Sequence, residues 1–224
     1  MNVPESKKKK VYKSFGGFGV DVSLIRMDDL DKKILEHLQK NNKPKVLDLG
    51  AGAGGQSLRM CIAGARVWAV DNHDFFEEYE QMRENNNIAE GDLRFIKGDI
   101  KNLPSLILDE NFFDVLLQRT LHYLSYQEAL RMLEFLRLVA TDKLFISVTG
   151  MESAVGEGYV GKNVEIEKRL FKLLPKPAET FQIYKPVCLY QKMEFIELLE
   201  VSGWKIEEIW SSAFGNHKAV CSVG

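Results

Sequence analysis

The stretch Val46-Leu47-Asp48-Leu49-Gly50-Ala51-Gly52-Ala53-Gly54-Gly55 constrains this chain more than any other part of it. A short apolar run enters a cluster of glycines, and a helical stretch follows. Glycine is required where a strand turns sharply into a helix and a ligand must come close to the main chain. Such a turn belongs to sheets built from strand–helix–strand units, and the rest of the sequence keeps that rhythm. Further strand-like runs are Arg66–Asp71, Leu93–Ile96, Phe113–Leu117 and Lys143–Val148. They are nearly continuous in apolar residues, which suits strands covered on both faces.

Helices fill the gaps. Leu30, Ile34 and Leu38 recur at helical spacing behind Asp28 and Asp29, which can cap. Ser125 with Glu128 forms a capping-box pattern ahead of Leu130, Leu133 and Leu136. Met193, Ile196 and Leu199 form another stripe, and Gly203 is its expected stop. This order predicts an α/β three-layer sandwich with a mostly parallel sheet and right-handed crossovers. The end of the chain differs. Trp204–Trp210 and His217–Val223 are separated by six residues, too few for a crossover helix, so the last strand is expected to run antiparallel. Seven strands result. Residues 151–190 break the rhythm with Gly156, Gly158, Gly161, Pro175, Pro177 and Pro186 around an amphipathic stretch, Val164–Leu174. They are expected to form a lid over the carboxyl ends of the strands, where ligands bind in such sheets. The expected organisation is a tail and flap at 1–27 and one domain at 28–224, with 151–190 inserted.

Charge and cysteine usage remove several classes. The net charge is -2, yet residues 1–13 carry Lys7, Lys8, Lys9, Lys10 and Lys13 against Glu5, leaving -6 for the remainder. A mildly acidic body does not indicate a nucleic-acid-binding surface. The lysine run is expected to be a solvated tail. Cys61, Cys188 and Cys221 form no CxxC pair, which fits free thiols in a reducing, cytoplasmic setting and gives no metal site. No apolar stretch approaches the ~18 residues of a membrane span, and no signal peptide is seen.

The glycines alone leave two ligand classes open. Gly50, Gly52 and Gly55 fit GxGxxG, the dinucleotide fingerprint. Asp48 with Gly50, Gly52 and Gly54 fits DxGxGxG. Asp48 helps to choose. A pyrophosphate on this turn would sit near that carboxylate, at ~3 kcal/mol per like-charge pair for ~5 Å and an effective dielectric of ~20. S-adenosylmethionine (SAM) has no phosphate and carries two positive groups, so an acidic turn suits it better.

The segment Asp48–Gly54 resembles motif I of the class I SAM-dependent methyltransferases. The resemblance runs from Lys45 to about Ala140 and again from Gln191 to the end. It implies a cofactor site at Asp48, Gly50, Ala51, Gly52 and Gly54, with S-adenosylhomocysteine (SAH) as product. It also places Asp71, beside Asn72, against both ribose hydroxyls. Asp99, beside Ile100, falls against the adenine amino group, and Gln118 beside the methionine end of the cofactor. The [DNS]-P-P-[YFW] motif of exocyclic-amine methylases is absent after the fourth strand, and no Cys follows a Pro. Gln118-Arg119-Thr120-Leu121-His122-Tyr123-Leu124 instead looks like the small-molecule branch.

His122 matches a position that often faces the reacting centre. It is a candidate general base because an unperturbed imidazole titrates near pH 6.5. Tyr123 and Tyr159 are candidate acceptor-binding residues. Phe15-Gly16-Gly17-Phe18-Gly19 is a candidate flap over the cofactor, and Arg26 a candidate partner for the cofactor carboxylate. From Gly161 to Lys192 the net charge is +4, which favours an anionic small-molecule acceptor. The competing readings are an RNA or protein methyltransferase anchored by the lysine tail and a non-catalytic SAM-binding subunit. A nicotinamide-dependent dehydrogenase is disfavoured by Asp48 and the terminal hairpin.

Overall fold

Seven strands form one sheet in the computed structural model, which describes residues 13–108 and 110–224. The lysines at 7–10, expected as a solvated tail, lie outside the described residues. The strands are β1 (Lys45–Leu49), β2 (Arg66–Asp71), β3 (Leu93–Lys97), β4 (Phe112–Gln118), β5 (Ala140–Thr149), β6 (Trp204–Ser211) and β7 (Asn216–Val223). Their spatial order is β3-β2-β1-β4-β5-β7-β6. The first five pair in parallel. β7 runs antiparallel to both β5 and β6, so it lies inside the sheet and β6 forms the edge.

The helices are α1 (Asp29–Leu38), α2 (Gly55–Ile62), α3 (Phe76–Asn86), the single turn α4 (Leu103–Leu106), α5 (Tyr126–Val139), α6 (Pro175–Phe181) and α7 (Lys192–Val201). The period-2 alternation of the strands divides the core. Val46, Val67, Ala69 and Leu116 meet Leu30, Ile34 and Met60 of α1 and α2 and Tyr79 of α3. Leu47, Leu49, Val115 and Leu117 join the opposite cluster, with Leu133 and Leu136 of α5 and Leu198 and Leu199 of α7. Both expected caps are present. The Asp28 side chain accepts from Leu30 and Asp31 N–H groups, and Ser125 and Glu128 form a reciprocal capping box.

One local expectation, the Met193, Ile196 and Leu199 stripe, needs correction. The amphipathic stretch Val164–Leu174 contains only the 3₁₀ turn Ile166–Lys168, and the helix of the insertion starts at Pro175. Proline lacks an N–H and holds a helical φ, so it suits the first helical position rather than only ending helices. Within that stretch Arg169 is buried. Its guanidinium donates to both oxygens of Glu194 at 2.6 and 2.8 Å and to the carbonyls of Val164 and Leu189. In α7 the buried face is Phe195, Leu198 and Leu199, while Met193 is exposed. The insertion has its own small core of Met151, Val155, Tyr159, Leu173, Ala178, Ile183, Val187 and Leu189.

Two further segments come together over the carboxyl edge of the sheet. Lys13–Ser14 and Val20–Asp21 pair antiparallel around the glycines at 16, 17 and 19. This N-terminal hairpin is joined to the insertion by backbone hydrogen bonds. Gly19 N–H donates to the Gln182 carbonyl at 3.0 Å, and Tyr184 N–H to the Gly17 carbonyl at 2.8 Å.

Candidate active site

The turn after β1 is shaped by what surrounds it. Gly50 has φ +68°, and a Cβ there would stand 2.0 Å from Thr120 Oγ1. Gly52 has φ +57°, and its Cβ would stand 2.5 Å from Asp21 Oδ2. Both positions therefore exclude side chains on conformation and on space. Asp48 is buried below the turn and accepts from Ser57 Oγ at 2.6 Å, tying the strand to the first turn of α2. Burial pushes its carboxyl up to about 7; Asp31, Asp71 and Asp21 nearby push the same way, and the Ser57 bond opposes them.

Asp71, at the end of β2, accepts from Gly52 N–H and His73 N–H, both at 2.9 Å, one on each oxygen. Burial raises its pKa. Asp99 is exposed after β3 and accepts from Lys101 N–H at 2.9 Å, and Ile100 is buried beside it. Gln118 Nε2, at the end of β4, donates to Asp28 Oδ2 at 2.9 Å. The same Asp28 oxygen receives the ammonium of Lys218 at 2.7 Å, and Lys218 also contacts Asp29.

These groups line one cavity of about 1240 Å³ at the carboxyl edge of the sheet. Single small-ligand sites span roughly 300–1,000 Å³, so this cavity has room for two ligands side by side. Asp48, Gly50, Ala51, Gly52, Asp71, Asn72, Asp99, Ile100, Gln118, His122 and Tyr123 all face it. Gly54 does not; it caps α2, where its own Cβ would collide with Met82 and Tyr79. Tyr159 does not either. It is buried in the insertion core and donates its hydroxyl to the Val187 carbonyl.

His122 sits in the 3₁₀ turn after β4 and is 2% exposed. Its Nδ1 is 3.5 Å from Thr149 Oγ1, and its Nε2 has no protein partner. Burial, with Arg119 nearby, lowers its pKa to about 3. The base expectation assumed an unperturbed imidazole; at neutral pH this one is uncharged and a weak proton acceptor. Tyr123 donates its hydroxyl to the Phe18 carbonyl, and burial pushes its pKa well up.

The N-terminal hairpin covers the glycine turn. Asp21 Oδ2 accepts from Ala53 N–H at 2.9 Å, its Oδ1 from Ser23, and Phe15 packs edge-on against Phe75 at 4.7 Å. Phe15, Phe18, Asp21, Ser23 and Arg26 line the cavity. Asp21, Arg119 and Lys218 were not singled out in the sequence, and Asp28 only as a helix cap. Only Arg119 left a trace, by standing between Gln118 and His122. Its backbone is in the left-handed region, φ +52°, where non-glycine residues are uncommon and cluster at functional sites.

The composition of the wall changes along the chain. From residue 21 to residue 101 it contributes six carboxylates, Asp21, Asp28, Asp29, Asp48, Asp71 and Asp99, against two cations, Arg26 and Lys101. From residue 119 onward it contributes Arg119, Lys185 and Lys218 and no carboxylate among the described residues. The first half suits a cation with hydroxyls to be held, and the second suits an anion. Glycines that leave no room for a Cβ, an acid at each of three strand ends and no basic phosphate cradle on the turn together fit SAM better than a dinucleotide.

At the opposite edge of the sheet, His37 Nε2 lies 3.1 Å from Asp114 Oδ1 and 3.3 Å from Asp142 Oδ2. The bond to Asp114 raises the His37 pKa despite burial. This triad ties α1 to β4 and β5. No helix among the described residues is long and apolar enough to cross a membrane.

Residues 40–197 match a family model described as a methyltransferase domain. No curated protein matches this chain in sequence. Solved structures share the fold. Magnesium protoporphyrin IX methyltransferase from Synechocystis PCC 6803, with bound SAM, is 17% identical with a TM-score of 0.59, covering 87% of this chain and 78% of that one. A SAM-dependent methyltransferase from Clostridium acetobutylicum ATCC 824 is 12% identical with a TM-score of 0.63, covering 87% and 91%. The 1,6-didemethyltoxoflavin-N1-methyltransferase of Burkholderia thailandensis, with its acceptor and SAH bound, is 17% identical with a TM-score of 0.60, covering 87% and 78%.

Proposed function

The chain belongs to the family of methyltransferase domains, and from that premise we propose that it transfers the methyl group of SAM to a small anionic molecule. The observation that carries the reading is the cavity wall, in which six carboxylates come from the chain before Arg119 and none from the chain after it. Three of the structurally similar enzymes act on small molecules by name, a magnesium porphyrin, a toxoflavin precursor and, for a third, a step of pyocyanin biosynthesis.

When bound, SAM supplies a methyl group activated by a positive sulfonium. The chain's residues hold and position it. Asp71 accepts from the ribose hydroxyls, since one carboxylate can serve two neighbouring donors. Asp99 and Ile100 bound the adenine, and Gln118 with Asp28 faces the methionine end. The buried negative charge of Asp48 and its acidic neighbours favours a cationic ligand over a phosphate. The N-terminal hairpin and the insertion exclude water from the reacting centre, and holding two reactants in line accounts for most of the rate in such a displacement.

Calorimetry with SAM, SAH and NAD tests the reading. Micromolar binding of SAM and SAH with no heat from NAD is expected; tight NAD binding without SAM binding would refute it. The readings as an RNA or protein methyltransferase, or as a non-catalytic SAM-binding subunit, predict salt-sensitive RNA retention in the one case and no methyl turnover with any acceptor in the other.

A further inference from the structure

We infer that the acceptor is an apolar carboxylic acid, held by the guanidinium of Arg119 and methylated on its carboxylate oxygen. The inference rests on the functional reading above and names the acceptor class for that same cavity.

Three independent features of the acceptor half converge on this class. The first is charge. Lys218 is neutralised by Asp28 and Asp29, but neither Arg119 nor Lys185 has a carboxylate within 4.0 Å among the described residues. Arg119 Nε is buried without any acceptor. A buried charged donor left unmatched is costly unless a ligand matches it. Its left-handed backbone is pinned by the Arg119 N–H, which donates to both the Ser147 carbonyl and the Ser147 hydroxyl. A strained residue held by its surroundings is a mark of a ligand-directed position.

The second feature is the lack of a proton acceptor. From Arg119 onward the cavity wall has no carboxylate, and its Tyr123 hydroxyl is already donated to the Phe18 carbonyl. His122 is uncharged and a weak base there. Its Nδ1 lies 3.5 Å from Thr149 Oγ1, and its Nε2 is buried without a protein partner. A methyl-accepting atom beside Arg119 that carries no proton needs no base there, and a carboxylate oxygen meets that condition at neutral pH.

The third feature is the apolar remainder. Phe18, Tyr123, Val155, Leu170, Phe181, Ile183 and Phe214 face the cavity, which calls for a hydrophobic body behind the charged group. In the transfer a carboxylate oxygen forms the new O–C bond, the S–C bond breaks with its electron pair going to sulfur, and no proton is released. The products are a methyl ester and a thioether.

The test uses the SAH-loaded full chain and two isosteric probes, 1-naphthoate and 1-naphthamide. The acid should bind about ten- to a hundredfold tighter than the amide, the range of a charge-assisted hydrogen bond. Arg119→Gln should collapse that preference to near unity while SAH affinity stays within about threefold, and Lys185→Gln should reduce it only in part. With tritiated SAM, the methyl group transferred to the acid should return as volatile methanol in alkali, as an ester methyl does. Equal affinity for acid and amide, or binding of neither, overturns the inference. So does an alkali-stable label, which marks an ether, amine or carbon methyl. So does an Arg119→Gln variant that loses SAH but keeps the acid, because the guanidinium would then serve the cofactor's own carboxylate. Failure of the unmodified chain to bind SAH overturns the functional reading and this inference with it.

Discussion

Asp48→Asn should make the protein more stable above neutral pH while weakening its hold on SAM. Asp48 is buried, and burial raises its carboxyl from 3.8 to about 7. The unfolded chain releases this proton near pH 4, whereas the folded chain keeps it until about 7. Between those values the folded state binds more protons, so its stability falls as pH rises and levels off above about 7. About three pH units correspond to roughly 4 kcal/mol. Asparagine keeps the volume and an oxygen for Ser57 but never ionises, so it escapes the penalty. Its buried NH₂ adds a fixed cost of about 1–3 kcal/mol, which cancels when two pH values are compared. Urea unfolding of both proteins at pH 4.5 and pH 8 supplies the comparison. The stability of the variant relative to the parent should rise by about 3–4 kcal/mol between them. A relative stability that changes by less than about 1 kcal/mol would refute the assignment of a buried, ionised Asp48. The companion measurement is SAM affinity at pH 8. It should drop about tenfold or more, since one carboxylate facing the cation is gone.

Asp71→Ala removes the acceptor proposed for the ribose hydroxyls and should weaken SAM binding about a hundredfold by calorimetry. Gly50→Ala forces a Cβ onto Thr120 at a positive φ; unfolding should show a loss of about 2–4 kcal/mol, and Thr120→Ala in the same chain should restore only part of it, because the backbone strain remains. Proteolysis within 151–190 should slow when SAH and an aromatic acid are present; equal cutting rates would reduce the insertion to an ordinary loop.

The sheet was legible in the sequence because its strands are buried on both faces and end at punctuated positions. Arg66–Asp71 was read at its observed limits, and the last two strands were paired correctly from the short gap between them. β5 starts three residues before the expected Lys143, because α5 runs directly into it without a breaker. The insertion was the least legible part. Its apolar spacing matched no regular element, while its structure is held by its own small core and by the Arg169–Glu194 pair, which join residues far apart in sequence. The glycines after β1 and the acids at the ends of β1, β2 and β3 were readable for the same reason: each sits where a strand ends. Asp21 was not, since a hairpin brings it to the cavity through contacts with no local signature, and Asp28 was readable only as the cap of α1. The place of His122 on the cavity wall was readable, but the burial that lowers its pKa was not, because burial is a property of the packed site and not of the residue.

The backbone bonds between Gly17 and Tyr184 and between Gly19 and Gln182 have a thermodynamic consequence. One partner covers the glycine turn and the other lines the same cavity, so the two segments should open as one body. Whichever ligand arrives first meets the whole free energy of ordering that body, and the second meets little of it. The two ligands are then positively linked without touching, and linkage requires the factor to be the same in both directions. SAH should tighten an aromatic acid by the ratio with which the acid tightens SAH. Tyr123→Phe, which removes the bond to the Phe18 carbonyl at this seam, should shrink both ratios together.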